Sequence, residues 1–154
     1  QDPLAWDIAA IAEAEALLRR ACALGAIGRY QLEAAVQSAH VARRRSGRAD
    51  WPAVVELYDA LFMLTRSPVV AINRALAIAE TEGTQAAIAE LPDAGADERL
   101  GRYQPYWAAR AALLARSGAS AQAHDAYELA IGLERDDAIR RFLQQRQSAL
   151  ADGS

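Results

Sequence analysis

An all-α fold of paired helices is predicted by three features of the sequence. Apolar residues recur at three- and four-residue spacing in segment after segment, and short turns bearing glycine or proline part those segments. The turns also recur at a nearly constant interval: those near Ala49, at Gly83 and at Gly118 lie 34 and 35 residues apart. Hydrophobic residues make up 53% of the 154-residue chain, with alanine heavily used, and small side chains let helices pack closely. The length suits one domain with a sizeable core, or a short stack of repeated units.

Taken in order, Asp2-Pro3 opens a leading helix, residues 1–28 with its turn. Leu4, Ile8, Ile11, Leu18 and Cys22 form its main stripe, and Gly25 and Gly28 stop it. Residues 30–66 read as a first helical pair. Its first helix runs from about Tyr30 to Arg45 with Leu32, Ala35, Val36, Ala39 and Val41 apolar; its second is capped by Asp50 and carries Tyr58, Leu61, Phe62 and Thr65 on one face. Ser67-Pro68 then sets an N-cap before a proline at the first helical position, where the missing N–H costs nothing. Val69, Ile72, Leu76 and Ala79 stripe the helix that follows.

Thr84 is expected to cap a short helix, Gln85 to Leu91, that Pro92 ends, so residues 67–92 form a degenerate second pair. Residues 93–102 (DAGADERLGR) are polar and read as an exposed loop. Residues 103–135 form the third pair: a helix from Gln104 to Ser117, the turn at Gly118, and a helix from Ala121 capped by Ser120. A capping helix over 136–150 starts at Asp136-Asp137. Ile139, Phe142, Leu143 and Leu150 are expected inward; Arg140, Arg141, Gln144, Gln145 and Gln147 are expected outward.

A helix–turn–helix period of ~34 residues is the tetratricopeptide (TPR) signature. Direct self-similarity accompanies it, since Gly28-Arg29-Tyr30-Gln31 recurs as Gly101-Arg102-Tyr103-Gln104 before the first helix of a pair. In the third pair Trp107, Ala111, Leu114, Gly118, Ala123, Tyr127 and Ala130 occupy the aromatic, small, large and turn positions of such a repeat. The fold predicted is therefore an all-α, TPR-like right-handed array of antiparallel helix pairs, with a leading helix and a C-terminal capping helix.

Composition narrows the function classes. All 17 basic residues are arginine, the net charge is −3 and the isoelectric point is near 5.4, which is not the electrostatic footprint of a nucleic-acid binder. The lone cysteine, Cys22, cannot form an internal disulfide, and a cytoplasmic location is the natural reading. No apolar run reaches the ~18–20 residues of a membrane span. The chain opens at Gln1, and Met63 is its single methionine, so a piece of a longer protein is expected. No phosphate loop, nucleophile elbow or paired-carboxylate site stands out, so neither an enzyme nor a bound cofactor is expected.

Laid out in this way, the chain resembles the C-terminal TPR-like extension carried by a group of bacterial extracytoplasmic-function (ECF) sigma factors of RNA polymerase. The residues that carry the resemblance are Gln1-Asp2 with Trp6-Asp7; Tyr30-Gln31-Leu32 with Ala34-Ala35 and His40; Asp50-Trp51 with Leu57-Tyr58-Asp59; Ser67-Pro68-Val69-Val70-Ala71 with Asn73-Arg74-Ala75; and Arg140-Arg141-Phe142-Leu143. They span nearly the whole chain. Pro3-Leu4 depart from the family's pattern, which commonly has an arginine and a small polar residue there. The resemblance implies a regulatory, protein-interaction domain that acts in transcription initiation. Its implied partners are the sigma core domains, the polymerase or a regulatory protein, with no direct nucleic-acid or membrane contact. A free-standing TPR adaptor for a partner peptide is the alternative, as is a small-ligand sensor with a pocket near Trp6, Asn73 and Trp107.

Candidate contact residues follow from the repeat register. First helices line the groove of such an array, which places Val70, Asn73, Ala77, Glu80 and Thr81 there, followed by Pro105, Ala108, Ala112, Ala115 and Arg116. Asn73 and Arg74 are the foremost partner-binding candidates, the alternative being that Asn73 bonds a neighbouring helix and Arg74 is solvated. Arg116 is the groove's one cation, too few for a carboxylate clamp. Tyr103 and Tyr106, beside the polar loop, and Trp6 are the aromatic candidates. Arg43, Arg44, Arg45 and Arg48 form a basic patch, equally readable as cations favoured at a helix C-terminus. His124 with Glu128 makes a pair too small for a metal site, and no metal is expected.

Overall fold

A computed structural model describes residues 28–47 and 50–151, without the side chains of 31 and 42–46. The expected leading helix with Trp6 and Cys22, residue Arg48, and the side chains of Arg43, Arg44 and Arg45 lie outside this description. Eight α-helices and no strand occur among the described residues, and no helix there is long and apolar enough to cross a membrane. The chain divides into two compact units, 1–66 and 67–154.

In the first unit α1 (Arg29–Ser46) packs on α2 (Trp51–Thr65). Leu32, Ala35 and Val36 of α1 and Val54, Tyr58 and Leu61 of α2 are buried, three- and four-residue spacings that bring one face of each helix inward. Val41, expected with them, is exposed. Asp50 caps α2 by accepting the Ala53 N–H at 3.1 Å. His40 Nε2 and the Tyr58 hydroxyl lie 3.1 Å apart and tie the pair together. The helix ends at Arg66, a non-glycine residue at φ 49° whose N–H donates to Phe62 O at 2.8 Å. Its guanidinium lies 5.6 Å from the Phe62 ring centroid, a cation–π contact that offsets part of the left-handed strain.

The second unit holds α3 (Pro68–Thr81), α4 (Thr84–Glu90), α5 (Glu98–Gly101), α6 (Gln104–Arg116), α7 (Ser120–Leu133) and α8 (Asp137–Ser148). Short turns pair α3 with α4 and α6 with α7. Helix α6 also packs against both members of the earlier pair, and α8 covers α7. The core centres on Ala111, Leu114, Ala123, Ala126, Tyr127, Ala130 and Leu143. Four alanines in that set keep the α6 and α7 backbones close, and Tyr127 and Leu143 fill the space that remains. Gly118 makes the turn between them at φ 83°, a conformation that costs an L-residue about 1–2 kcal/mol.

Several local expectations need correction. Pro68 does open α3, but the Ser67 side chain makes no capping bond to the helix. The N-cap of α4 is Gly83, at φ 94°, and Thr84 is already helical; α7 likewise starts at Ser120 with Ala119 as cap. In both cases a glycine at positive φ lies at the turn, as the cap itself in α4 and one residue before the cap in α7. The last helix starts at Asp136-Asp137 as expected, and Asp136 caps it, accepting N–H groups of Ala138 and Ile139 at 2.7 and 3.2 Å.

Residues 93–102 are not simply an exposed loop. They contain α5, capped by Asp97, and bury Leu100 to 2% exposure. On α8, Leu143 is buried at 4% and Leu150 packs beside the core, whereas Ile139 and Phe142 are 45% and 57% exposed. One helix packed on one neighbour buries a narrow stripe, and Leu143 occupies it.

Candidate functional site

The predicted contact residues separate into fasteners, core and surface. Arg74 Nη1 bonds Glu90 Oε2 at 2.5 Å, joining α3 to α4, so the guanidinium is engaged rather than merely solvated. Asn73, one residue earlier, is exposed. Across the first helices of the two pairs, Arg116 Nη1 meets Glu80 Oε1 at 2.7 Å. Both occupy groove positions of the repeat register, and the cation there is already matched by an anion.

The apolar groove positions are more enclosed than the register suggested. Ala77 is fully buried, and Ala108 and Ala115 pack against the α6–α7 core. Glu80, Thr81, Pro105 and Arg116 remain exposed with Asn73. The exposed part of this face is thus mostly polar, Pro105 excepted, with Val70 and Ala112 half-buried.

Tyr103 is the half-buried N-cap residue of α6. Tyr106 is 2% exposed and stacks edge-to-face with Trp107 at a 5.0 Å centroid separation and 80°. It is a packing residue, which corrects its assignment to a partner surface. Trp107 Nε1 donates to Gly101 O at 3.0 Å, so the indole is locked from two sides.

A cleft of about 400 Å³ opens beside this aromatic pair, lined by Leu91, Pro92, Asp93, Ala94, Gly95, Tyr106, Trp107 and Arg110. Its far wall is the turn after α4. There Asp93 Oδ1 accepts the Gly95 N–H at 2.8 Å, which leaves its other carboxylate oxygen available. A Cβ on Gly95 would lie 3.2 Å from Asp93 Oδ1, so the glycine gives the carboxylate room. Arg110 lies one helical turn beyond Trp107. Neither charged group stands out in the sequence: Asp93 lies within a polar run, and Arg110 interrupts no pattern. The legible signals were the Pro92-Asp93-Ala94-Gly95 turn chemistry and the three-residue spacing of Trp107 and Arg110.

A second depression, about 450 Å³, is lined by Arg141, Gln144, Gln145, Ser148 and Ala149. These residues belong to α8 and its C-cap, and one helix surface cannot surround a ligand. His124, Asp125 and Glu128 bring ligand atoms within 4.8 Å of one another on α7, all exposed. The three share one helix face with no enclosing wall. His124 Nδ1 and Asp125 Oδ1 stand 3.9 Å apart, a weak contact for groups so well solvated.

Comparison with known proteins gives one informative relative. An uncharacterized protein of Rhizobium meliloti (strain 1021) is 34% identical over 151 residues, which are 98% of this chain and 35% of that protein. The chain therefore spans about a third of the length of the curated relative it matches. No family model matches the chain, and no solved structure does.

Proposed function

We propose that this chain is the C-terminal regulatory domain of an ECF-type RNA polymerase sigma factor, a TPR-like array that acts in bacterial transcription initiation through protein contacts. The observation that carries the reading is the role of the residues behind the resemblance. His40 with Tyr58 and Arg74 with Glu90 fasten helix to helix, and Asp50 caps α2. Arg140 joins them, bonding Glu134 O and Asp137 Oδ1 before and within the last helix. Residues with such structural roles are the ones a common scaffold would keep.

Two further facts support the reading. Helix α6 packs on both helices of the preceding pair, as neighbouring units do in a helical repeat array. About two thirds of the Rhizobium relative lies outside the match, which leaves space for promoter- and polymerase-binding core domains in a protein of that size.

In this reading the exposed polar face, with Asn73, Glu80 and Arg116, meets the sigma core, the polymerase or a regulator. It acts by contacting one arrangement of the core better than another. A swing from a 1:99 to a 99:1 population takes about 5.5 kcal/mol of differential contact, within reach of a domain interface. The test is deletion of this domain from the longer protein that carries it, followed by promoter-dependent transcription with purified polymerase. Changed initiation is expected; initiation unchanged at every promoter would remove the regulatory role.

A further inference from the structure

Three half-buried arginines are described: Arg74, Arg110 and Arg140. Arg74 is paired with Glu90 and Arg140 with Asp137. Arg110 has no carboxylate partner among the described residues, yet it lines the cleft beside Trp107. A guanidinium left without a carboxylate at the rim of a cleft is available to an anionic group of a ligand. Asp93 lies on the same cleft, but the two are not joined by an ion pair. The cleft therefore offers one cation, one anion and an aromatic wall whose indole is held in place by Gly101 O and Tyr106.

We propose that this cleft binds a small dipolar ligand, an α-amino acid with an apolar side chain. The carboxylate pairs with Arg110, the ammonium with the free oxygen of Asp93, and the side chain lies against Trp107 and Pro92. A volume of about 400 Å³ falls in the range of small-molecule sites, ~300–1,000 Å³. Asp93 disfavours polyanions such as nucleotides, and Arg110 disfavours simple amines, so the charge pattern selects for a ligand carrying both signs. The inference is independent of the sigma-factor reading, since neither the polymerase nor DNA enters it.

Calorimetric titration of the 154-residue chain with L-phenylalanine, 3-phenylpropionate and 2-phenylethylamine tests it, each probe keeping or losing one charge. L-Phenylalanine is expected to bind most tightly, with each single-charge probe weaker by about tenfold or more, the worth of a charge-assisted hydrogen bond. Arg110→Gln should abolish the advantage of L-phenylalanine over 2-phenylethylamine. Asp93→Asn keeps the acceptor for Gly95 and should abolish the advantage over 3-phenylpropionate. In amide NMR spectra the Gly95 N–H and the Trp107 indole N–H should shift on titration, while circular dichroism verifies that both variants stay folded. Absence of saturable binding by L-phenylalanine, or equal binding by folded Arg110→Gln and the parent chain, would overturn the proposal.

Discussion

Individual residues in this protein earn their identity either from backbone geometry or from a single polar contact. Gly118 illustrates the first. It sits at φ 83°, and a Cβ added there would meet nothing within 4 Å, so any cost of substitution is backbone strain alone. Gly118→Ala should cost about 1–2 kcal/mol, and Gly118→Asn distinctly less, because asparagine tolerates the left-handed region. Urea unfolding of both variants would measure the difference, and equal losses would point to packing instead.

Tyr58 illustrates the second. Burial holds its hydroxyl above the ordinary tyrosine pKa of about 10. The folded protein therefore binds more protons than the unfolded chain once pH exceeds that value, and stability falls as pH rises toward and through the raised pKa. Tyr58→Phe should lose about 1 kcal/mol at neutral pH with the His40 bond, yet show a shallower alkaline decline. Stability curves for the two proteins should converge above pH ~10; parallel curves would show that Tyr58 does not contribute to the alkaline slope.

At the scale of the element, α8 shows how tertiary contact selects among apolar residues that look equivalent. Ile139, Phe142 and Leu143 all fit an inward stripe by spacing, but α8 rests on one neighbour and only Leu143 reaches the core. Leu143→Ala should cost about 2–5 kcal/mol. Phe142→Ser should cost under about 1 kcal/mol, most of it the exposed cation–π contact with Arg146. Thermal or chemical denaturation distinguishes these outcomes, and a reversed order would mean that α8 is rotated about its axis. The same logic explains α5. One leucine in a ten-residue polar run gives no periodicity, so the Leu100 turn becomes visible only where α6 and its Trp107 lie beside it.

For the whole molecule, the second unit is a stack in which each layer covers the previous one and the last carries a polar exterior, with Arg141, Gln144 and Gln145 exposed on α8. A chain ended after Glu134 would uncover the core row of Ala126, Tyr127 and Ala130 where Leu143 packs. It should bind a hydrophobic dye such as ANS and self-associate at NMR concentrations, because terminal layers keep such stacks soluble. Sedimentation of the truncated and complete chains would detect the change; a monomeric, dye-silent truncation would show that α7 needs no cover.

By itself the sequence determined the all-helical class, most helix boundaries, the Asp50 cap, the start of the last helix at Asp136-Asp137, and the small-residue core of α6 and α7. These are local properties: spacing, capping chemistry and side-chain size act within one or two turns of a helix. Only the tertiary structure decided which members of an apolar stripe are covered, that Arg74 and Arg116 already have carboxylate partners, and that Tyr106 is core. The cleft belongs to the same class of fact. Asp93 and Arg110 are 17 positions apart on a turn and a helix with no common pattern, and their place on one cleft beside Trp107 depends on how α6 packs against the pair before it.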